Sequence, residues 1–126
     1  MTEYHGWISI PIDPDEREET IQKIDLIKDY LKEIDHPHRI LIHRPMNGEY
    51  YVSLAGRRNH RSEFEGIEKL LEMLSLNLPE AYGLVYLFDD ESEWDNEFIV
   101  YRLARGKISL HEDKLLSPCF PTIMDE

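Results

Sequence analysis

Apolar and polar residues alternate along the first segment of the chain, from Tyr4 to Ile10. A period of two residues is typical of a half-buried strand, so this segment is predicted as the first strand. The side expected to face the core holds Tyr4, Gly6, Ile8 and Ile10.

A helix is predicted to begin after Asp13, which can cap it, with Pro14 at the first helical position and Glu16 in the first turn. Beyond this start, apolar residues recur every three or four positions, which is the period of one helix face. The helix is expected to end before Pro37, because proline disfavours helical backbone in the residue that precedes it. The apolar face holds Ile21, Ile24, Ile27, Leu31 and Ile34.

The centre of the chain predicts a hairpin and then a second helix. Ile40–Ile42 and Tyr50–Leu54 are predicted as strands, and Asn47-Gly48 between them accepts the positive φ angles of a tight turn. Ser62–Glu65 is typical of a capping box at a helix start, and this helix is expected to end before Pro79. Its apolar face holds Phe64, Ile67, Leu70, Leu71 and Leu74.

Three more strands are predicted at Leu84–Phe88, Phe98–Tyr101 and Lys107–Leu110, the last two joined through Arg105-Gly106. The predicted order of elements is β-α-β-β-α-β-β-β. Two amphipathic helices cannot cover both faces of such a sheet, so we expect both on one face. The predicted fold class is α+β, a two-layer sandwich with a mostly antiparallel sheet of about six strands.

Composition narrows the class of protein. The 126 residues, 41% of them hydrophobic, suffice for a single domain covering residues 1–126. The chain has 14 Lys and Arg against 26 Asp and Glu, a net charge of -12 that disfavours binding to nucleic acid. No membrane span or signal peptide is recognisable, and the single cysteine, Cys119, suits a reducing compartment. We therefore expect a cytoplasmic protein that does not contact a membrane.

The sequence contains few of the patterns that are typical of metal-binding or catalytic sites. Among the six histidines only His36 and His38 are close in sequence, and no zinc-binding spacing of histidines or cysteines is present. The chain lacks a Gly-x-Ser-x-Gly elbow and a glycine-rich phosphate loop. Cys119 lies between two prolines in a segment that we expect to pack over the core. We expect no metal, no cofactor and no catalytic residue.

Positive charge is concentrated in residues 39–61. Five arginines there face a single acid, Glu49, so an anion site is conceivable. The simpler interpretation is that they pair with the surrounding excess of acids at the surface. The arginines are Arg39, Arg44, Arg57, Arg58 and Arg61.

Negative charge is concentrated in Asp89–Glu97, here called the acidic segment, which holds six acids, no base and Trp94. These charges cannot be buried together, so we expect an exposed loop. It is either a solvated loop with Trp94 folded back on the sheet or a docking surface for a basic partner with Trp94 as its anchor, and we favour docking. A second acidic cluster, Asp13–Glu19, is partly explained by the helix dipole. The expected partner-binding residues are Asp89, Asp90, Glu91, Glu93, Trp94 and Asp95.

A set of short segments runs in order over nearly the whole chain. It comprises Tyr4-His5-Gly6-Trp7, Asn47–Tyr50, Gly56 with Asn59-His60-Arg61, Tyr82-Gly83-Leu84 with Asp89-Asp90, Leu103–Lys107, Leu116-Ser117-Pro118 and Pro121-Thr122. Single pieces are unspecific, but this ordered combination resembles the immunity protein 7 family of bacterial polymorphic-toxin systems.

The resemblance implies an antidote that binds a toxin domain and neutralises it stoichiometrically, and so implies that the chain is not an enzyme. We expect the cognate toxin domain to be basic and of the nuclease type, and inhibition to work by occlusion. The alternative is a small cytosolic adaptor or regulatory module that binds another basic protein or an anionic ligand. The residues shared with the family that we expect to be structural are His5, Gly6, Trp7, Asn59, His60, Arg61, Arg105 and Gly106.

Overall fold

The computed structural model describes residues 1–34, 40–58 and 64–124. Within these ranges it contains six strands, two long helices, a 3-10 turn at Pro14–Glu16 and a short helical turn close to the end of the chain. The strands are β1 (Thr2–Ile10), β2 (Ile40–Met46), β3 (Glu49–Arg58), β4 (Tyr82–Asp89), β5 (Phe98–Ala104) and β6 (Lys107–Glu112). The helices are α1 (Arg17–Ile34), α2 (Glu65–Asn77) and the short turn α3 (Cys119–Thr122).

The strands form one open sheet in the order β2-β3-β1-β4-β5-β6, and every neighbouring pair is antiparallel. The predicted α+β class and the six-stranded sheet are therefore confirmed. The structure adds the 3-10 turn before α1 and the α3 turn, both too short to produce a helical period in the sequence.

The first helix starts as its sequence predicts. The side chain of Asp13 accepts a hydrogen bond from the backbone N of Asp15 at 2.9 Å, and Pro14 opens the 3-10 turn that leads into α1. The second helix begins at Glu65, with Phe64 already in helical conformation. The capping box predicted at Ser62 falls on residues outside the described ranges.

Both long helices pack on one face of the sheet, as expected from their apolar faces. The side chains of β1 that face them, including Tyr4 and Ile8, are almost fully buried, and so are the cross-strand partners Leu87 and Val52. The ring of Phe64 lies 5.7 Å from that of Tyr4, measured between ring centres. The helix residues buried against this face are Ile24, Ile27, Leu31, Ile67, Leu70, Leu71 and Leu74.

Two tight hairpins set the strand register. In the β2–β3 turn, Asn47 and Gly48 have φ angles of 55° and 81°, and in the β5–β6 turn Arg105 and Gly106 have φ angles of 53° and 70°. Two consecutive residues with positive φ match the twist of antiparallel strands, and glycine adopts this conformation without steric cost. The hairpins predicted from Asn47-Gly48 and Arg105-Gly106 are thus confirmed.

Among the described residues, the segment that follows β6 covers one end of the other face of the sheet. There Cys119 is fully buried against Phe88 and Phe98. This agrees with the expectation that the segment around Cys119 packs over the core. Burial raises the pKa of the Cys119 thiol, which lowers its reactivity. Farther along the same face Trp7 and Tyr82 are half exposed and meet edge to face.

Asp113 fixes the start of this covering segment. Its carboxylate accepts hydrogen bonds from the backbone N of Leu115 at 2.9 Å, from the backbone N of Leu116 at 3.0 Å and from the Ser117 hydroxyl at 2.8 Å. Burial alone would raise the pKa of Asp113, but these hydrogen bonds to the charged form outweigh it and lower the pKa. The Ser117 oxygen in turn accepts from the backbone N of Phe98, so the segment is tied to β5.

Candidate functional site

The acidic segment connects β4 to β5 at one end of the sheet. This is the end at which β1 starts, because Thr2 pairs with Asp89. The second acidic cluster, Asp13–Glu19, follows the opposite end of β1. The nine residues of β1 span about 26 Å at the usual strand rise, so the two clusters lie at opposite ends of the sheet.

The expectation of full exposure is wrong for Asp89, whose exposed fraction is only 6%. This residue ends β4 on the face that carries Val85 and Leu87, and one of its carboxylate oxygens accepts a hydrogen bond from the backbone N of Glu91 at 3.0 Å. The other five expected binding residues are exposed: Asp90, Glu91, Glu93, Trp94 and Asp95.

Hydrogen bonds hold the backbone around Trp94 in a compact turn. The Ser92 hydroxyl donates to the carbonyl of Asp89 at 2.9 Å and accepts from the backbone N of Trp94 at 3.1 Å. The backbone N of Glu97 donates to the carbonyl of Trp94 at 3.1 Å. Trp94 is therefore presented from a hydrogen-bonded turn with 40% of its surface exposed.

Asn96 joins the acidic segment to the α3 turn. Its side-chain oxygen accepts from the backbone N of Phe120 at 2.8 Å, its side-chain nitrogen donates to the carbonyl of Phe120 at 3.1 Å, and its own carbonyl accepts from the backbone N of Cys119 at 2.8 Å. One of these partners, Cys119, is fully buried, and the other, Phe120, follows it directly in the chain. The end of the segment that carries Asn96 is thus fixed to the body of the protein.

The amino group of Met1 lies against the other end of the segment. It donates to the Asp90 carboxylate at 2.6 Å and lies 3.7 Å from a carboxylate oxygen of Glu91. The hydrogen bond to Asp90 raises the pKa of this amino group. Glu93 and Asp95 carry no such pairing within the described residues, so they supply the negative charge that faces solvent.

A cavity of about 340 Å³ opens beneath the acidic segment on the helix side of the sheet. We call it the Trp94 pocket. Leu87 and Ile99 are cross-strand neighbours in its wall, as are Tyr101 and Leu110. The hydroxyl of Tyr101 donates to the Glu68 carboxylate at 3.3 Å, which ties this wall to α2. The remaining described residues that line the pocket are Asp89, Ser92, Trp94, Glu97, His111 and Glu112.

Leu110, His111 and Glu112 were not expected at the site from the sequence. They reach it because β6 pairs with β5, which places Glu112 opposite Ile99 and Leu110 opposite Tyr101. The one signal available in the sequence is Leu110, an apolar residue at the end of a strand whose next neighbours are polar. It is 60% exposed.

Three residues near the start of the chain carry part of the resemblance to the family: His5, Gly6 and Trp7. Adding a side-chain carbon to Gly6 would place it 2.7 Å from the carbonyl oxygen of Leu84, so glycine is required by the close approach of β1 and β4. His5 is exposed with a carboxylate oxygen of Glu3 at 3.4 Å, and Trp7 is 48% exposed. The close approach of the strands therefore explains the glycine at position 6. Trp7, in contrast, lies on the open face of the sheet, the face away from the two long helices.

Of the other residues that carry the resemblance, the structure describes two and leaves three outside the described ranges. Arg105 and Gly106 form the β5–β6 turn, and a side-chain carbon on Gly106 would lie 3.2 Å from the carbonyl oxygen of Ser75 in α2. Asn59, His60 and Arg61 fall outside the described residues. The structural role proposed for them stays a prediction.

The remaining candidates from the sequence are the arginines, a metal site and a membrane span. Arg57 pairs with the Glu3 carboxylate, in keeping with the interpretation of these arginines as surface pairs. In residues 1–34, 40–58 and 64–124, no three His, Cys, Asp or Glu side chains come together in a group that could hold a metal ion. No helix in the part of the chain that the structure describes is both long and apolar enough to cross a membrane.

Comparison with known families identifies the class of protein. The model of the family described as Immunity protein 7 matches residues 1–125, nearly the whole chain, and the chain therefore belongs to this family. Searches of curated proteins and of solved structures found no match. The family role implies an immunity protein that acts against a toxin by binding it, and immunity proteins are generally not enzymes.

Proposed function

We propose that the chain binds a basic toxin domain of the nuclease type in the cytoplasm and neutralises it by stoichiometric occlusion, with the acidic segment at the interface. The observation that carries the proposal is Trp94, a half-exposed tryptophan on a hydrogen-bonded turn, flanked by exposed carboxylates and next to a pocket. Tryptophan is enriched among the residues that dominate binding energy at interfaces.

Charge supports a basic partner. The chain carries a net charge of -12, and Glu93 and Asp95 are exposed without a basic partner among the described residues. Complementary charge raises association rates to about 10⁸ M⁻¹s⁻¹ or more at low salt, against about 10⁵–10⁶ for neutral pairs. Fast capture suits an antidote, because the toxin must be bound before it acts.

The hydrogen bonds of the segment support tight binding. Ser92 and Asn96 hold the turn in place before any partner arrives, so little conformational entropy is lost on association. An interface of about 1,600 Å² extending from the turn is of the standard size for a stable complex. Occlusion of this kind requires no catalytic group on the chain.

Cell survival tests the function as a whole. Cells that produce the cognate toxin should survive when they also produce the chain, and the two proteins should co-purify as a complex of one copy each. Production of an unrelated acidic protein at the same level is the control. Death of the protected cells, or purification of the two proteins apart, would contradict the proposed function.

Exposed carboxylates of the acidic segment should control the rate of association. We expect the double variant Glu93→Gln and Asp95→Asn to associate about three- to tenfold more slowly at low salt and to show a weaker salt dependence, because steering charge has been removed. Stopped-flow measurements at two salt concentrations give both quantities.

The matched control is Glu18→Gln with Glu19→Gln, which removes the same charge at the opposite end of the sheet. This control should retain nearly the original rate. Equal slowing in both double variants would show that net charge alone steers the encounter and would remove the acidic segment from that role.

A further inference from the structure

The Trp94 pocket combines an apolar wall with carboxylates at its rim. Its wall is apolar, formed by Leu87, Ile99 and Leu110 with the ring of Tyr101. Its rim carries carboxylates. A volume of about 340 Å³ is at the small end of the range for ligand pockets, so it suits one inserted side chain better than an extended ligand.

Carboxylates dominate the charge at the pocket. Asp89, Glu97 and Glu112 are among the described lining residues together with His111, and no lysine or arginine is. The carboxylates of Glu97 and Glu112 have no hydrogen bond or ion pair within the part of the chain that the structure describes. An occupant that brings positive charge would therefore complement the rim.

The indole of Trp94 adds a third requirement, since the face of an aromatic ring attracts a cation. A suitable occupant has an apolar stem for the wall, a cationic head for the carboxylates and a flat face to stack on an indole. Arginine meets all three, because its guanidinium is planar, weakly hydrated and able to bind carboxylates through two parallel hydrogen bonds. Lysine has the stem and the charge but a strongly hydrated, non-planar head.

From this arrangement we infer that the Trp94 pocket receives a single arginine side chain of the toxin, with its stem against Leu110 and Ile99 and its guanidinium between Glu97 and Glu112. The inference rests on the proposed function and specifies which group of the partner the site recognises. It separates two roles: carboxylates outside the pocket speed the encounter, and the pocket slows dissociation.

Dissociation rates test the inference. The probe is the purified cognate toxin domain, inactivated at its own active site. We expect Glu97→Gln with Glu112→Gln to raise the dissociation rate about tenfold, because both charge-assisted bonds to the guanidinium are weakened. The control, Glu93→Gln with Asp95→Asn outside the pocket, should leave the dissociation rate within about twofold, because loss of outer charges acts mainly on association. Thermal unfolding shows whether each variant is folded, and Glu112→Gln alone, at an exposed position, replaces the pair if it is not.

The toxin side supplies the second arm. Each surface arginine of the inactivated toxin is replaced by alanine and by lysine, and binding is measured to the original chain and to the Glu97→Gln, Glu112→Gln variant. One arginine should lose about tenfold or more in affinity on either replacement, and most of that loss should disappear in the variant background.

The outcomes separate the two proposals. Failure of the original chain to bind the toxin would contradict the proposed function. Normal binding with unchanged dissociation in the pocket variants, or with no toxin arginine coupled to them, would overturn the arginine pocket and leave the immunity function standing. Full retention of affinity when the coupled arginine becomes lysine would assign the pocket to a simple positive charge and would also overturn it.

Discussion

Replacement of Trp94 by alanine is expected to weaken toxin binding by about 2 kcal/mol or more, which is about 30-fold or more in the dissociation constant. The substitution removes the largest exposed apolar surface of the acidic segment and one wall of the pocket. Isothermal titration calorimetry against the inactivated toxin measures the loss. The fold should be unaffected, because Trp94 is 40% exposed and is not one of the residues that form the two buried apolar clusters.

Trp7→Ala is the matched control for this measurement. Trp7 is 48% exposed and Trp94 is 40% exposed, but Trp7 lies on the open face of the sheet, beside Tyr82. We expect the Trp7 variant to bind the toxin nearly as well as the original chain. The reverse result, with binding lost in Trp7→Ala and kept in Trp94→Ala, would move the interface to the open face.

Replacement of Leu70 by alanine is expected to destabilise the protein by about 2–5 kcal/mol. Leu70 lies on α2 with an exposed fraction of 0%, facing the sheet in the main core. Truncation removes buried methyl groups and leaves a cavity that the surrounding strands cannot close. Unfolding in urea, followed by circular dichroism, gives the change in free energy.

Leu76 offers the same substitution on the same helix with an exposed fraction of 82%. Leu76→Ala should change the free energy of unfolding by no more than about 0.5 kcal/mol. Comparable losses in the two variants would mean that the packing of α2 against the sheet is not as described.

Local pattern is sufficient to predict the six strands, the two long helices and their layers. The alternation around Ile8 and the helical period around Leu70 report burial directly, because each is the period at which one side of a strand or helix returns. The turn at Asn47-Gly48 was equally readable, since few residues adopt two positive φ angles in succession. Each of these signals depends on residues that are close together in the chain, whose relative positions follow from local backbone geometry.

The site was only partly accessible from the sequence. Trp94 and its acidic neighbours stand out by composition, but the burial of Asp89 depends on its place at the end of β4, and the contribution of Glu112 depends on strand register. The side chain of Asn96 bonds to backbone atoms of Phe120, 24 positions away, and backbone partners leave no trace in residue type. Tertiary pairing of this kind must be seen in the structure.

The hydrogen bonds of Asn96 allow such a protein to acquire new targets without losing its turn. Positions 93 and 95 lie between Ser92 and Asn96, whose hydrogen bonds hold the turn, and position 91 directly precedes Ser92; all three residues are exposed and none belongs to the core. Diversifying these three positions would redraw the recognition surface at little cost in folding free energy. A library built there, with Ser92 and Asn96 retained, is a direct route to retargeting the scaffold.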